Sequence, residues 1–142
     1  MAARPNQTVS FTTPPAVEIL TKTCQIARTD TTAFAAFTLP KGAVIAGSYV
    51  MGTVASDAAT TATVSVGSNP GTTNECVAAF SVKTNGLGYF ATGATAGTSV
   101  GSQLTADTLI KAVYAETGTA STTGGPWLVK VEYYIPQSGH SF

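Results

Sequence analysis

Charge is what this 142-residue chain has least of. Asp, Glu, Lys and Arg make up 10% of it, seven acidic against seven basic residues, for a formal net charge of zero; soluble domains typically carry about 25%. The basic side chains Lys22, Arg28, Lys41, Lys83, Lys111 and Lys130 stand singly. A phosphate backbone needs them clustered, so nucleic acid is not an expected partner. Long apolar runs are missing too. The longest, near Ala43 to Ala55, is interrupted by Gly47, Ser48, Gly52 and Thr53 and falls short of the roughly 20 residues of a spanning helix, so no membrane role is expected. The segment Met1-Ala2-Ala3-Arg4-Pro5-Asn6-Gln7 has no hydrophobic region behind its one charge, which is unlike a secretory signal and makes the cytoplasm the expected place of synthesis. Without such a signal, the glycosylation triplet Asn6-Gln7-Thr8 is incidental.

The residues that usually carry chemistry are equally sparse. His140 is the only histidine, placed in the tail Gln137 to Phe142 where a solvated side chain is the simplest reading. No G-x-S-x-G, H-E-x-x-H, Walker or EF-hand pattern occurs, and Gly86-Leu87-Gly88 lacks the strand-to-helix setting of a phosphate cradle. Asp30, Asp57 and Asp107 each lie beside Thr or Ser, a pattern expected of local turns held by side-chain to backbone bonds. Glycosidase chemistry needs two carboxylates opposed across a sugar, a spacing that sequence leaves open. No catalytic residue, cofactor or metal is expected, and the chain is read as a non-enzyme. Cys24 and Cys76, the only cysteines, fit neither a zinc site nor a C-x-x-C pair. Their apolar surroundings suggest small buried free thiols, with a disulfide between them as the alternative.

Thr, Ser, Asn and Gly are what the chain has instead. Threonine suits a half-buried pleated surface because its branched Cβ favours extended backbone, and a near-neutral chain with a pI near 6.5 associates readily, as a particle subunit must. Period-2 patterns dominate. Ala16 to Ala27 reads as a strand with apolar residues on both faces and is expected to be paired on both sides. Phe34 and Phe37 belong to a strand ending at Leu39. Pro40-Lys41-Gly42 launches a strand over Ala43 to Val54, a polar loop at Ala55 to Thr61 reverses the chain, and a further strand follows. Asn69-Pro70-Gly71-Thr72-Thr73-Asn74 is the strongest turn signal. Glu75 to Lys83 reads as a helix turn or a strand, Asn85-Gly86 as a tight hairpin turn, Leu87 to Ala91 as its return strand, and Gly93 to Thr98 as a small-residue loop. Thr108 to Glu116 and Trp127 to Ile135 complete the set, joined by a long hairpin loop over Thr117 to Pro126. Many short strands between turn clusters imply an all-β fold, a β-sandwich or jelly-roll-like single domain, over residues 16–136, with an extended N-terminal arm (1–15) and a C-terminal tail (137–142).

One segment resembles a known family. Leu39-Pro40-Lys41-Gly42-Ala43-Val44-Ile45, followed by Thr63-Val64-Ser65-Val66-Gly67-Ser68 and then by a stretch rich in Gly, Ala and Thr, is similar to the "LP-x-x-A-x-I … T-x-x-V-x-V-G" segment of small bacteriophage virion proteins that decorate capsids or form head fibres. The resemblance implies a structural protein of the virion, made in the host cytoplasm and placed on the capsid surface, with the phage major capsid protein and itself, as a homotrimer, for partners. A decoration or cement role is the first expectation. The alternatives are a receptor- or carbohydrate-binding module of a head or tail fibre, reading a host surface with loops Thr92 to Ser102 and Thr117 to Pro126, and a tail or connector component. Those loops hold no sugar-stacking aromatic apart from Trp127 at a loop's edge.

Candidate interface residues follow from the tails and from the last strand. Tyr133 and Tyr134 are adjacent, so they cannot both face one core, and one is expected to meet solvent or a partner. Arg4, Phe11, Pro14 and Pro15 in the arm and Phe142 in the tail complete the expected subunit interface, since aromatic and proline residues in a terminal segment suit a contact.

Overall fold

A computed structural model describes residues 18–70, 72–73, 75–83, 89–91 and 103–136, with backbone alone for 89–91. The expected arm and tail, the Asn85-Gly86 turn and the loop over Gly93 to Thr98 lie outside the described residues. The chain forms β1 (Leu20–Ile26), β2 (Phe34–Leu39), β3 (Val44–Met51), β4 (Thr61–Gly67), β5 (Val77–Ser81), β6 (Tyr89–Ala91), β7 (Thr108–Thr117) and β8 (Trp127–Tyr134). No helix occurs among the described residues, and Glu75 to Lys83, open between helix and strand, holds β5.

The strands make two four-stranded antiparallel sheets, β1-β8-β3-β6 and β2-β7-β4-β5. Together they form the expected β-sandwich. Pairing is nested: β1 lies with β8, β2 with β7, β3 with β6 and β4 with β5. Three readings of adjacency are therefore corrected. β7 and β8 are not a hairpin across Thr117 to Pro126, β6 does not return beside β5, and the loop after β3 carries the chain to the opposite sheet. The reason is apolar cover. β7 turns Ile110, Ala112 and Tyr114 inward and β8 turns Trp127, Val129 and Val131 inward, so each face needs the other above it and not beside it. β4 and β5 do form a hairpin over the expected turn, where Thr72 N–H and Thr73 N–H donate to the Asn69 carbonyl at 2.9 and 2.8 Å. In the Pro40-Lys41-Gly42 turn, Ala43 N–H donates to the Pro40 carbonyl at 3.1 Å and Gly42 takes a φ of +86°, which only glycine adopts freely.

β1 is a second correction. It pairs with β8 alone and is a sheet edge, mostly exposed, because only Leu20, Cys24 and Ile26 on its inward side find apolar cover. All four edges carry a feature that disfavours further pairing. Lys22 lies opposite Val131 on the core-facing side of β1. β6 has three residues. β2 has a bulge between Ala35 and Phe37, and β5 has one between Val77 and Phe80, where Ala79 has a φ of 29° and its N–H donates to the Ser65 hydroxyl at 3.2 Å.

The core has one aromatic centre. The Trp127 and Tyr114 rings stack with centroids 5.4 Å apart and planes 11° apart, joining the two sheets. The indole lies in a slot made by glycines: a Cβ on Gly52 would come within 2.3 Å of Trp127 Cδ1, and one on Gly125 within 3.0 Å of Cε3. Gly52→Ala must displace the indole, an overpacking expected to cost about 1–3 kcal/mol. Thermal unfolding followed by the emission of the single tryptophan should show a lower midpoint and an altered native spectrum.

Candidate interface at the end where the chain enters and leaves

Register places both chain exits together. Leu20 opposes Tyr133, so the chain enters β1 and leaves β8 at one end of the sandwich, beside the Pro40-Lys41-Gly42 turn, since Val44 opposes Tyr134. That turn is clasped from residues 103–107: Gly42 N–H donates to the Leu104 carbonyl and Leu104 N–H to the Ala43 carbonyl, both at 2.8 Å, and Lys41 N–H donates to Asp107 Oδ1 at 2.8 Å. Asp107 therefore joins segments 66 residues apart, not the local turn expected of it.

Strict alternation along β8 decides the tyrosine pair. Trp127, Val129, Val131 and Tyr133 are buried, whereas Leu128, Lys130, Glu132 and Tyr134 face outward and are half-buried. Tyr133, at 6% exposure, belongs to the core cluster. Tyr134 is the outward member. Around it Ile19 is 50% exposed and Ile135 43%, with Leu109 at 46% at the same end of the facing sheet; among the described large hydrophobics only Val54, at 45%, is comparably exposed elsewhere. Ile19 and Ile135 were not singled out in the sequence, yet for Ile19 a signal was there. Ile19-Leu20 is a pair of adjacent apolar residues of which a strand buries only one; Ile135 follows the last residue of β8 and is exposed although it falls on the inward side of the alternation. Of the other expected interface residues, Arg4, Phe11, Pro14, Pro15 and Phe142 lie outside the described residues.

Further along the same outer face, Lys130 Nζ pairs with Glu132 Oε1 at 2.9 Å and lies 5.5 Å from the Tyr49 ring centroid. The bond to Glu132, and then its charge, raises the ammonium pKa. Charge here is neutralised within the sheet and leaves a face of mixed apolar and paired polar character.

The opposite end is a polar clasp between the loop after β3 and the loop after β7. Asp57 accepts Thr122 N–H at 2.8 Å, the Thr122 hydroxyl at 2.6 Å and Thr123 N–H at 2.9 Å. These bonds, the Thr122 hydroxyl foremost, hold its pKa down to about 2. The expected local turn at Asp57 is thus also a cross-link, while Asp30 does cap its own turn, accepting Ala27 N–H at 2.7 Å. Beneath the clasp the Tyr114 hydroxyl lies 2.7 Å from Ser56 Oγ and donates to Glu116 Oε2 at 2.7 Å. Glu116 also accepts Ser121 N–H at 3.1 Å, and Arg28 donates to the Ser121 carbonyl at 2.8 Å. Burial raises the Tyr114 pKa, and hydrogen bonds from Ser121 and Tyr114 lower that of Glu116. Each polar group has a protein partner, so the cluster clasps two loops and presents no unpartnered nucleophile or base.

Trp127, expected at a loop's edge, is buried in the glycine slot and cannot stack on a sugar from that position. Cys76 is buried and Cys24 half-buried, both as free thiols. Burial pushes the Cys24 thiol up to about 11 and that of Cys76 higher still, so neither is a ready thiolate. Among the described residues no group of three or more His, Cys, Asp or Glu is placed to hold a metal, and no helix is long and apolar enough to cross a membrane.

No protein-family model matches the chain, and no curated protein matches it. Solved structures do. A chain in the acidic stable capsid structure of Helicobacter pylori bacteriophage KHP30 is 14% identical, with a TM-score of 0.59 over 84% of this chain and 89% of that one. A chain in the capsid asymmetric unit of cyanophage Pam1 is 22% identical, with a TM-score of 0.56 over 85% of this chain and 86% of that one. At such identities the likeness is one of fold. The coverage, high on both sides, makes all three chains of similar length.

Two outcomes test the clasp. A depressed carboxyl pKa stabilises the fold above the ordinary value near 4 and ceases to as pH falls through about 2, so the stability of wild type should drop across that window. Asp57→Asn should be less stable at neutral pH and lack this part of the acid transition, the two melting curves converging below about pH 2. Tyr114→Phe strips Ser56 and Glu116 of a buried partner and should cost about 1–3 kcal/mol in denaturant unfolding.

Proposed function

We propose that this chain is a non-enzymatic structural protein of a phage capsid, a decoration or cement protein that binds and stabilises the major capsid shell. The observation that carries the reading is the fold match, along nearly the whole of each chain, to chains of similar length in two phage capsid structures. The nested strand pairing supports a jelly-roll reading of the sandwich, an architecture used in viral capsid domains. The resemblance of Leu39 to Gly67 to phage virion proteins points the same way and supplies the homotrimer expected in this role. The arm (1–15) and tail (137–142) extend from a sandwich domain over 16–136.

The mechanism needs no chemistry. Ile19, Tyr134, Ile135 and Leu109 are apolar surface that a partner can remove from water, and Arg4, Phe11, Pro14, Pro15 and Phe142 belong to segments that join the sandwich at that end. The protein clamps neighbouring capsid subunits by burying this surface across their boundary, on the outside of the virion. The polar loops of the opposite end are clasped to each other, which favours the exit end as the contact surface. The buried Trp127 removes the one aromatic that favoured a sugar-binding module.

Quantitative mass spectrometry of purified particles should find this protein in hundreds of copies spread over the head. A few copies at one vertex or at the tail would overturn the decoration reading. Particles lacking the protein should lose their genome at lower temperature, and purified protein added back should restore their resistance.

A further inference from the structure

We infer that residues 118–125, in the loop after β7, form an acid-released latch, closed over Trp127 at neutral pH and freed when Asp57 and Glu116 take up protons, with both sheets still folded. The device is independent of the capsid reading. Attachment of the loop is the first reason. Three successive backbone N–H groups end on carboxylates: Ser121 N–H donates to Glu116 Oε2 at 3.1 Å, and Thr122 N–H and Thr123 N–H both donate to Asp57 Oδ1, at 2.8 and 2.9 Å. The Thr122 hydroxyl adds a bond to Asp57 Oδ2 at 2.6 Å.

What the loop lacks is the second reason. Gly118-Thr119-Ala120-Ser121-Thr122-Thr123-Gly124-Gly125 holds no apolar side chain larger than the methyl of Ala120, which is exposed, and only Ser121 among these residues is buried. Polar bonds alone tie such a segment down, which places it at the low-stability end of a fold. The other bonds to the loop after β3 are neutral: Ala59 N–H donates to the Thr119 carbonyl at 3.1 Å, Asp57 N–H to the Thr123 carbonyl at 3.3 Å and Gly125 N–H to the Val54 carbonyl at 3.0 Å. A bond to an ionised carboxylate is roughly twice as strong as a neutral one. Gly118 and Gly124, at φ of +87° and +135°, give the segment a joint at each end.

Acid changes the carboxylates and leaves the neighbouring cations charged. Among the described residues, Arg28 donates to the Ser121 carbonyl at 2.8 Å and its charge reaches Glu116, while Lys83 Nζ donates to the Ala59 carbonyl at 2.6 Å. Asp30 is committed to Ala27 N–H, and the Tyr114 hydroxyl donates to Glu116. The bonds described hold the Asp57 pKa down to about 2, the Thr122 hydroxyl foremost, and Ser121 and Tyr114 hold that of Glu116 below its ordinary value. A carboxyl depressed only in the closed form favours closure above the ordinary value near 4 and ceases to as pH falls through the depressed one. Each unit of depression is a factor of about ten in the opening constant. Release uncovers the indole, because Gly125 stands over it, a Cβ there coming within 3.0 Å of Trp127 Cε3, and Trp127 is 1% exposed when the latch is closed.

Hydrogen exchange of the full-length protein, corrected for the intrinsic rate at each pH, reads the loop and the sheets separately. Between about pH 5 and about pH 2 the peptide spanning Ser121 to Thr123 should lose protection by about tenfold or more, while β8, paired on both sides, keeps its own. Acrylamide quenching of the single tryptophan should rise over the same window. Asp57→Asn/Glu116→Gln should show an unprotected loop and a quenchable tryptophan already at about pH 5, with no further change of the loop in acid. Loop protection that stays constant down to about pH 2, or that disappears only together with that of β8, would overturn the latch, as would a double variant whose loop keeps the wild-type protection and pH dependence. The wild-type series decides by itself where the variant fails to fold.

Discussion

The stack of Trp127 on Tyr114 is the contact on which the rest of the sandwich depends. Two large rings from facing sheets meet there, and each ring is fixed from behind. The indole is set by glycines 52 and 125, and the phenol is set by Ser56 and Glu116. Hydrophobic contact alone tolerates sliding of one sheet over the other. A ring held by hydrogen bonds at its tip does not, because Ser56, one partner of the Tyr114 hydroxyl, belongs to the loop that the Asp57 clasp joins to the loop after β7. Packing and polar geometry thus fix the same alignment, and the closed end of the sandwich becomes its stiff end.

That stiffness explains the division of labour between the two ends. In the loops after β3 and β7 the side chains of Ser56, Asp57, Ser121 and Thr122 find partners within the protein. At the other end the backbone is clasped by residues 103–107 while Ile19 and Ile135 are exposed and Tyr134 is half-buried. The blunted sheet edges in turn disfavour indiscriminate pairing along the strands.

Most strands were legible in the sequence because burial imposes a period of two on a strand, and Trp127 to Tyr134 keeps that period without a break. Pairing was not legible. Residues adjacent in sequence suggest hairpins, and β7 with β8 looked like one; only the need of their inward apolar faces to cover each other across the core places them in different sheets. The cross-links were hidden for a related reason. Asp57 beside Ser56 and Asp107 beside Thr108 look like ordinary turn residues, and nothing local reveals partners some 65 residues away. At the candidate interface, the adjacency of Tyr133 and Tyr134 predicted one outward tyrosine, but only strand direction shows which, and only register brings Ile19 beside it.

Nested pairing also has a consequence for biosynthesis. Among the described strands β8 is made last and lies between β1, the first, and β3. The first sheet therefore cannot close until translation has passed Tyr134, and a ribosome-bound or prematurely ended chain offers β1 and β3 no common neighbour. High contact order of this kind slows folding. The apolar end formed by Ile19, Tyr134 and Ile135 likewise comes together only once β8 is in place.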